Sequence, residues 1–259
     1  ATQFHKGNLA NILRLAISLL SQKGRFIMQL LSQTVKTAKT EFKYPNWENS
    51  LTYLYPNKNL CKFSANCFKT CLKSSGRLPM SKHLMIERTK LLYQDNDTYF
   101  SRLVSELSKK HKSSKRKGKK FAYRNNGTSD RFEEIKRLLE MDNPPFDQAY
   151  DYSKDFLRVL NYQGYKGYHL TFSFDGENIL ESSYLLKNKI ANVSVVFNVK
   201  RDMPLPKKYI LDGKSYKVID GDIDDLRFKD KKGLIVGLRA KGKAIKDNGV
   251  FVQGDNANA

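Results

Sequence analysis

The chain has 259 residues, 40% of them hydrophobic with 15 Phe and 14 Tyr, so it can bury one sizeable core without disulfide stapling. A formal charge of +21 exceeds what solubility requires and points to a polyanionic partner, nucleic acid first. Three cysteines exclude a complete disulfide framework, no secretory signal is read, and no apolar run reaches membrane-spanning length, so a reducing cytoplasm is the expected compartment.

Residues 1 to 40 carry six Lys or Arg and no acid. The stretch "NLANILRLAISLL" is apolar but short and interrupted by Arg14, and an amphipathic helix pair broken at Gly24 is expected in a basic N-terminal segment, 1–49. "SLTYLY" (50–55) predicts a strand and opens an α/β domain over 50–245. All three cysteines follow it within "NLCKFSANCFKTCLKSSGR". Helical spacing then marks "SKHLMIERTKLLY" (81–93) and "DTYFSRLVSELSKK" (97–110), the second capped by Asp97. Next comes "KKHKSSKRKGKK" (109–120), with eight Lys or Arg and no acid, expected as a basic loop. Lys109, Lys110, Lys112, Lys115, Arg116, Lys117, Lys119, Lys120 and the nearby Arg124 are the candidate nucleic-acid contacts, with Phe121 and Tyr123 available for stacking on bases.

Downstream, short apolar runs centred near 123, 150, 170, 195, 218 and 236 predict strands. Helical stretches at 131–141, 153–161 and 176–188 fill three of the gaps. Strands alternating with helices imply a mostly parallel sheet, and about seven strands suit a complete or partial α/β (TIM-like) barrel with N-terminal helices. Chemistry then belongs at the C-terminal strand ends. Residues 246–259 are expected as a frayed tail.

Cys61, Cys67 and Cys71 form a Cys-x5-Cys-x3-Cys array directly after the first predicted barrel strand. If 67–71 is helical, Cys67 and Cys71 share a face. Three thiolates this close suit a soft metal or an iron–sulfur cluster; zinc with His83 as fourth ligand, plain burial as small hydrophobes, or a redox or disulfide role are the alternatives. Asp151, Lys154, Ser173 and Lys241 sit at strand ends, Asp130 heads a helix it can cap, and His169 lies inside a strand as a core residue. The alternating acids of "DGDIDDLRFKD" fail as a calcium loop, with Asp225 where Gly is needed and Lys231 where Glu is needed. "KGYHLTFSF" fails as an RNA-recognition strand at His169, Leu170 and Thr171.

Taken in order, "LTYLYP", "LCKFSANCFKTCLKSSGR", "RTKLLYQDNDTYFSRLVSEL", "YRNNGTSD", "YDYSKD", "YHLTFS", "VSVVF", "VIDGDIDDLRF" and "GLIVGLRAKGKA" resemble the phage and plasmid gene product 88 domain family over roughly residues 50 to 245. The resemblance implies a mobile-element origin and a bacterial host cell. A weaker resemblance is to radical S-adenosylmethionine enzymes, whose partial barrels hold a three-cysteine [4Fe–4S] cluster after the first strand. It implies that Cys61, Cys67 and Cys71 ligate the cluster and that Asn126, Gly127, Thr128, Ser129 and Asp130 line S-adenosylmethionine. Asp130, Ser173 and Lys241 would then be the catalytic candidates. The spacing departs from that superfamily's Cys-x3-Cys-x2-Cys, and "NGTSD" is not its Gly-Gly-Glu-Pro sequence. The expected protein is therefore a cluster-bearing, nucleic-acid- or nucleotide-directed one, the alternative being a non-enzymatic basic DNA- or RNA-binding protein.

Overall fold

A computed structural model describes residues 28–64, 66–247 and 250–254. The first member of the expected N-terminal helix pair falls on residues outside this range, and where the second was expected the chain forms a two-residue strand, Leu31–Ser32, before a helix, Val35–Lys43. Ten strands form one sheet: β1 (Leu31–Ser32), β2 (Trp47–Thr52), β3 (Lys120–Arg124), β4 (Gln148–Ser153), β5 (His169–Ser173), β6 (Asn192–Phe197), β7 (Lys208–Leu211), β8 (Lys214–Asp220), β9 (Ile235–Arg239) and β10 (Val252–Gln253). Their order is β1-β2-β3-β4-β5-β6-β9-β8-β7, with β10 beside β6. All pairings are parallel except β1 with β2 and β7 with β8.

The mostly parallel α/β sheet agrees with the sequence reading, but it does not close into a barrel: β1 and β7 stand at its two ends. Three strands, β1, β10 and β7, were not expected from the sequence, and β7 is the longest of them. It forms a hairpin with β8 through Asp212 and Gly213, both at positive φ (50° and 69°), the two-residue Asp-Gly turn whose twist matches paired strands. Within the expected tail, Val252–Gln253 pair with Val196–Phe197, so this part is a strand of the sheet.

Six helices are described: α1 (Val35–Lys43), α2 (Lys82–Gln94), α3 (Asn96–Arg116), α4 (Glu133–Leu139), α5 (Phe156–Tyr162) and α6 (Ile179–Lys187). The expected basic loop is in large part the last two turns of α3. Lys and Arg are good helix formers, and cations in a last turn complement the helix dipole. Inward-facing Leu107 and Ser114 hold the segment down. The helix is capped by Asp95, not Asp97; the Asp95 carboxylate accepts from Thr98 N–H at 2.9 Å.

Register fixes two unlike faces, since alternate side chains point oppositely. One face carries Phe121, Tyr123, Leu170, Phe172, Val193, Val195, Phe197 and Ile235, all fully buried against α2 to α6. Each such side chain contributes about 1.5–3 kcal/mol through removal from water. The opposite face carries Asn49, Arg124, Tyr150, Tyr152, His169, Thr171, Asn192 and Ser194. It is covered by α1 and by residues 223–230, through the small cluster of Ala122, Tyr150 and Leu226 with Trp47 and Phe228. We call these the packed face and the polar face. No helix among the described residues is long and apolar enough to cross a membrane.

Candidate functional site

The parallel strands deliver four chain segments to their C-terminal ends, and the cysteine loop lies across them. Asp130 N–H donates to Leu60 O (2.8 Å), Asn66 Nδ2 to the carbonyl of Asp175 after β5 (3.4 Å), and Cys61 Sγ to Thr128 O (3.8 Å). After β9, Gly242 approaches the loop so closely that a Cβ there would stand 3.0 Å from Ser74 O. Glycine is therefore required at that crossing by space as well as by its φ of +59°.

Residues 67–71 do not form the continuous helix that was expected. A 3-10 turn spans Asn66–Phe68, another spans Leu72–Ser74, and Cys71 between them is extended (φ −50°, ψ 141°). The cause is a pattern that the sequence reading overlooked: "CKFS", "CFKT" and "CLKS" are three copies of Cys-x-x-Ser/Thr. In each, the cysteine carbonyl accepts a hydroxyl three residues on, from Ser64 (2.6 Å), Thr70 (3.4 Å) and Ser74 (3.0 Å). Such local side-chain bonds compete with a regular helix and leave each cysteine at the head of its own tight turn.

The three thiols share one neighbourhood. Burial pushes the Cys61 thiol up to about 12, with the charges of Cys71 and Cys67 adding to the rise and Lys154 and Lys73 opposing it. Cys71 is also raised by burial, against a hydrogen bond to its sulfur from the Lys73 main chain. Thiolate there needs a compensating cation. Of the strand-end candidates, Lys154 is thus brought to the cysteines. His83 is exposed on α2, and Lys241 is held by Asp222 (2.5 Å). Ser173 meets Ser194 at 3.4 Å, and His169 sits on the polar face with burial lowering it to about 4. Among the described residues no three His, Cys, Asp or Glu side chains converge as a ready-made ligand set.

The loop after β3 is bound up within the protein. Asn126 is 1% exposed and acts as its hub: its amide N–H and Nδ2 donate to Asp151 (2.7 and 3.0 Å), and its Oδ1 accepts from Ser129 Oγ (2.7 Å) and Arg131 N–H (2.9 Å). Gly127 N–H donates to Thr52 O (2.9 Å), and Thr128 Oγ1 to Leu54 O (2.5 Å). Asp130 does not cap α4; its carboxylate accepts from Lys154 N–H (2.8 Å) and pairs with the buried Arg158. Gly127 is required by proximity, since a Cβ would lie 2.5 Å from the Tyr53 ring.

Arg124 is turned inward on the polar face, 4.5 Å from the centre of the Tyr152 ring and 3.6 Å from Asp225. It joins a buried ionic cluster that sequence spacing did not reveal: Asp225 with Lys36 (2.9 Å), and Arg227 with Asp224 (2.7 Å) and Asp230 (3.1 Å). The basic stretch lies elsewhere again. α3 ends before β3 begins, so Lys109 to Lys120 stand at the N-terminal ends of the strands, opposite the cysteine loop. Lys110 and Lys117 are used by Glu48 (3.0 and 2.9 Å).

The family described as gene product 88 matches residues 27–254. The chain belongs to the gene product 88 family. The match takes in every described strand and helix, from β1 to β10, and extends beyond the 50–245 read from the sequence. No curated protein and no solved structure matches the chain.

Proposed function

We propose that this gene product 88 family member is a thiolate metal protein, with Cys61, Cys67 and Cys71 holding a [4Fe–4S] cluster over the C-terminal strand ends. What supports the reading is the triplicated Cys-x-x-Ser/Thr turn within one loop, whose other two thiols add to the rise at Cys61, although the three do not converge as a ready-made ligand set among the described residues. The donors fit the group in kind: soft sulfur ligands, two nearby ammonium groups and a main-chain N–H on sulfur all favour thiolate once a cation is present. A cluster so bound supplies one-electron chemistry and an iron position without a cysteine ligand. S-adenosylmethionine does not fit in the same way, because the polar side chains of Asn126, Thr128, Ser129 and Asp130 all have partners inside the protein. No step is assigned to it.

The test is the metal content of anaerobically purified protein. About four iron and four sulfide per chain are expected in wild type and loss of both in Cys61→Ala. Zinc in their place, lost in the same variant, would overturn the cluster while keeping the thiolate site; no metal in wild type would overturn both.

A second reading, that the protein binds nucleic acid electrostatically, is favoured by a separate observation. Lys109, Lys112, Lys115, Arg116 and Lys119 have no acidic partner among the described residues, and all but the partly buried Lys119 are exposed.

A further inference from the structure

Among the described residues, buried polar side-chain atoms without hydrogen bonds are concentrated on the polar face and the segment that covers it: Asn49 Oδ1, Tyr152 OH, His169 Nε2, Thr171 Oγ1, Nε and Nη1 of Arg227, and one carboxylate oxygen each of Asp225 and Asp230, with Ser182 Oγ and Tyr216 OH lying elsewhere. Buried donors and acceptors are ordinarily satisfied, so a concentration of open ones marks a place where something polar is received. Arg227 is the pivotal member. It is 1% exposed, its Nη2 is used by Asp224 (2.7 Å) and its Nη1 is ion-paired with Asp230 (3.1 Å), which leaves Nε without a partner.

Beside Arg227 is a cleft of about 350 Å³ between residues 223–231 and β8. That volume is within the range of small-ligand sites. The acids that line it are each already engaged: Asp220 by Arg239 (2.9 Å), Asp224 by Lys43 (2.6 Å) and Arg227, Asp230 by Arg227. Its lysines Lys217, Lys229 and Lys231 are exposed and have no acidic partner among the described residues. The unbalanced charge is positive, and an arginine edge with several ammonium groups is the donor set that recognises phosphate.

We propose that this cleft binds a phosphate group, with the Arg227 guanidinium as its buried anchor and Lys217, Lys229 and Lys231 as its rim. Lys229 links the cleft to an aromatic pair. Its ammonium lies 5.0 Å from the centre of the Trp47 ring and 5.7 Å from that of Phe228, and those two half-buried rings are 4.9 Å apart. A base carried next to the phosphate meets this pair, so the ligand class is a nucleotide or a nucleic-acid strand. The site is separate from the thiols and stands whether or not they hold metal.

Calorimetric titration of the whole chain with inorganic phosphate, at ionic strength held constant with potassium chloride, tests the proposal. Trp47 is the sole tryptophan of the sequence, so its emission reports the same event. Saturable phosphate binding is expected, weakened about tenfold in Lys217→Ala/Lys231→Ala, whose surface positions leave folding intact, and lost in Arg227→Lys. Absence of binding in wild type, or equal affinity in the lysine variant, would overturn the site. Adenosine monophosphate and a single-stranded oligothymidylate then distinguish the sources. Tighter binding of the mononucleotide than of phosphate, with Trp47 quenched, assigns a nucleotide, and a further gain with the oligonucleotide assigns a strand. Unphosphorylated adenosine binding as tightly as the monophosphate would sink the phosphate assignment.

Discussion

Asp151 illustrates how a single residue can join two loops. Fully buried within β4, it accepts from Asn126 N–H, Asn126 Nδ2 and Tyr168 OH, and so ties the loop after β3 to β4 and to the start of β5. Burial pushes its carboxyl up to about 7 in spite of those donors and of Arg124. A raised carboxyl binds its proton more tightly folded than unfolded, so its contribution to stability falls as pH rises from about 4 to about 7. At about 1.4 kcal/mol per pKa unit, the change is a few kcal/mol. Asp151→Asn removes this titration. Urea unfolding at pH 4, 5.5 and 7 should therefore show the wild type losing ground to the variant as pH rises, and a constant difference would refute the raised carboxyl. Little of this was legible beforehand: "YDYSK" marks Asp151 as a strand-end residue, but its partners are more than fifteen positions away in either direction. The cysteines are legible as a cluster because they are close in sequence, whereas their turn repeat emerges only when each is read with the Ser or Thr three residues on, since the Cys-x5-Cys-x3-Cys spacing itself is irregular.

Among the elements, α3 shows how a basic segment is made helical. Glu48, 3% exposed on β2, accepts from Ser114 Oγ (2.8 Å), Lys117 Nζ (2.9 Å) and Lys110 Nζ. These contacts fasten the last turns of the helix to the sheet and hold the Glu48 carboxyl down at about 2, against its burial. Glu48→Gln leaves the two lysines without their acid and is expected to cost about 2 kcal/mol at pH 7, the lysines being partly solvated. The sign is opposite to that of Asp151. Stability from a lowered carboxyl is present above its ordinary range and disappears as pH falls through about 2. The gap between wild type and Glu48→Gln should thus close between pH 5 and pH 2; a gap independent of pH would mean the effect is packing, not charge. The Glu48 contact spans more than sixty residues, which explains why eight basic residues read as a loop. Apolar periodicity did locate α2 and the body of α3, because tertiary burial and helical spacing agree there. The β7–β8 hairpin was available in "LDGK", where Asp-Gly is a strong turn signal, but alternating helices and strands drew the reading past it.

At the scale of the molecule, two features that the sequence joins into one hypothesis are held apart by topology. Parallel strands send every loop that follows a strand to one end and every loop that precedes one to the other. The cysteines follow β2 and the basic end of α3 precedes β3, so the length of a strand, about 16 Å for five residues, lies between them. Repeated strand and helix lengths made the parallel sheet readable; its openness depends on where the edges lie, and β9 inserts between β6 and β8 out of sequence order. The separation makes electrostatic binding testable without touching the thiols. Lys109, Lys112 and Arg116 are spaced to share a face of α3, and Lys115 and Lys119 extend the patch. Replacing these five by Gln, itself a good helix former, keeps the helix and removes five potential phosphate contacts. On single-stranded nucleic acid each contact contributes about 0.7 to the slope of log affinity against log salt concentration, so the slope should flatten by up to about 3.5. Metal content should be unchanged in the same protein. An unaltered slope would remove α3 from the interface and turn the assignment toward other basic surfaces, among them the polar-face cleft with Trp47 and Phe228 beside it.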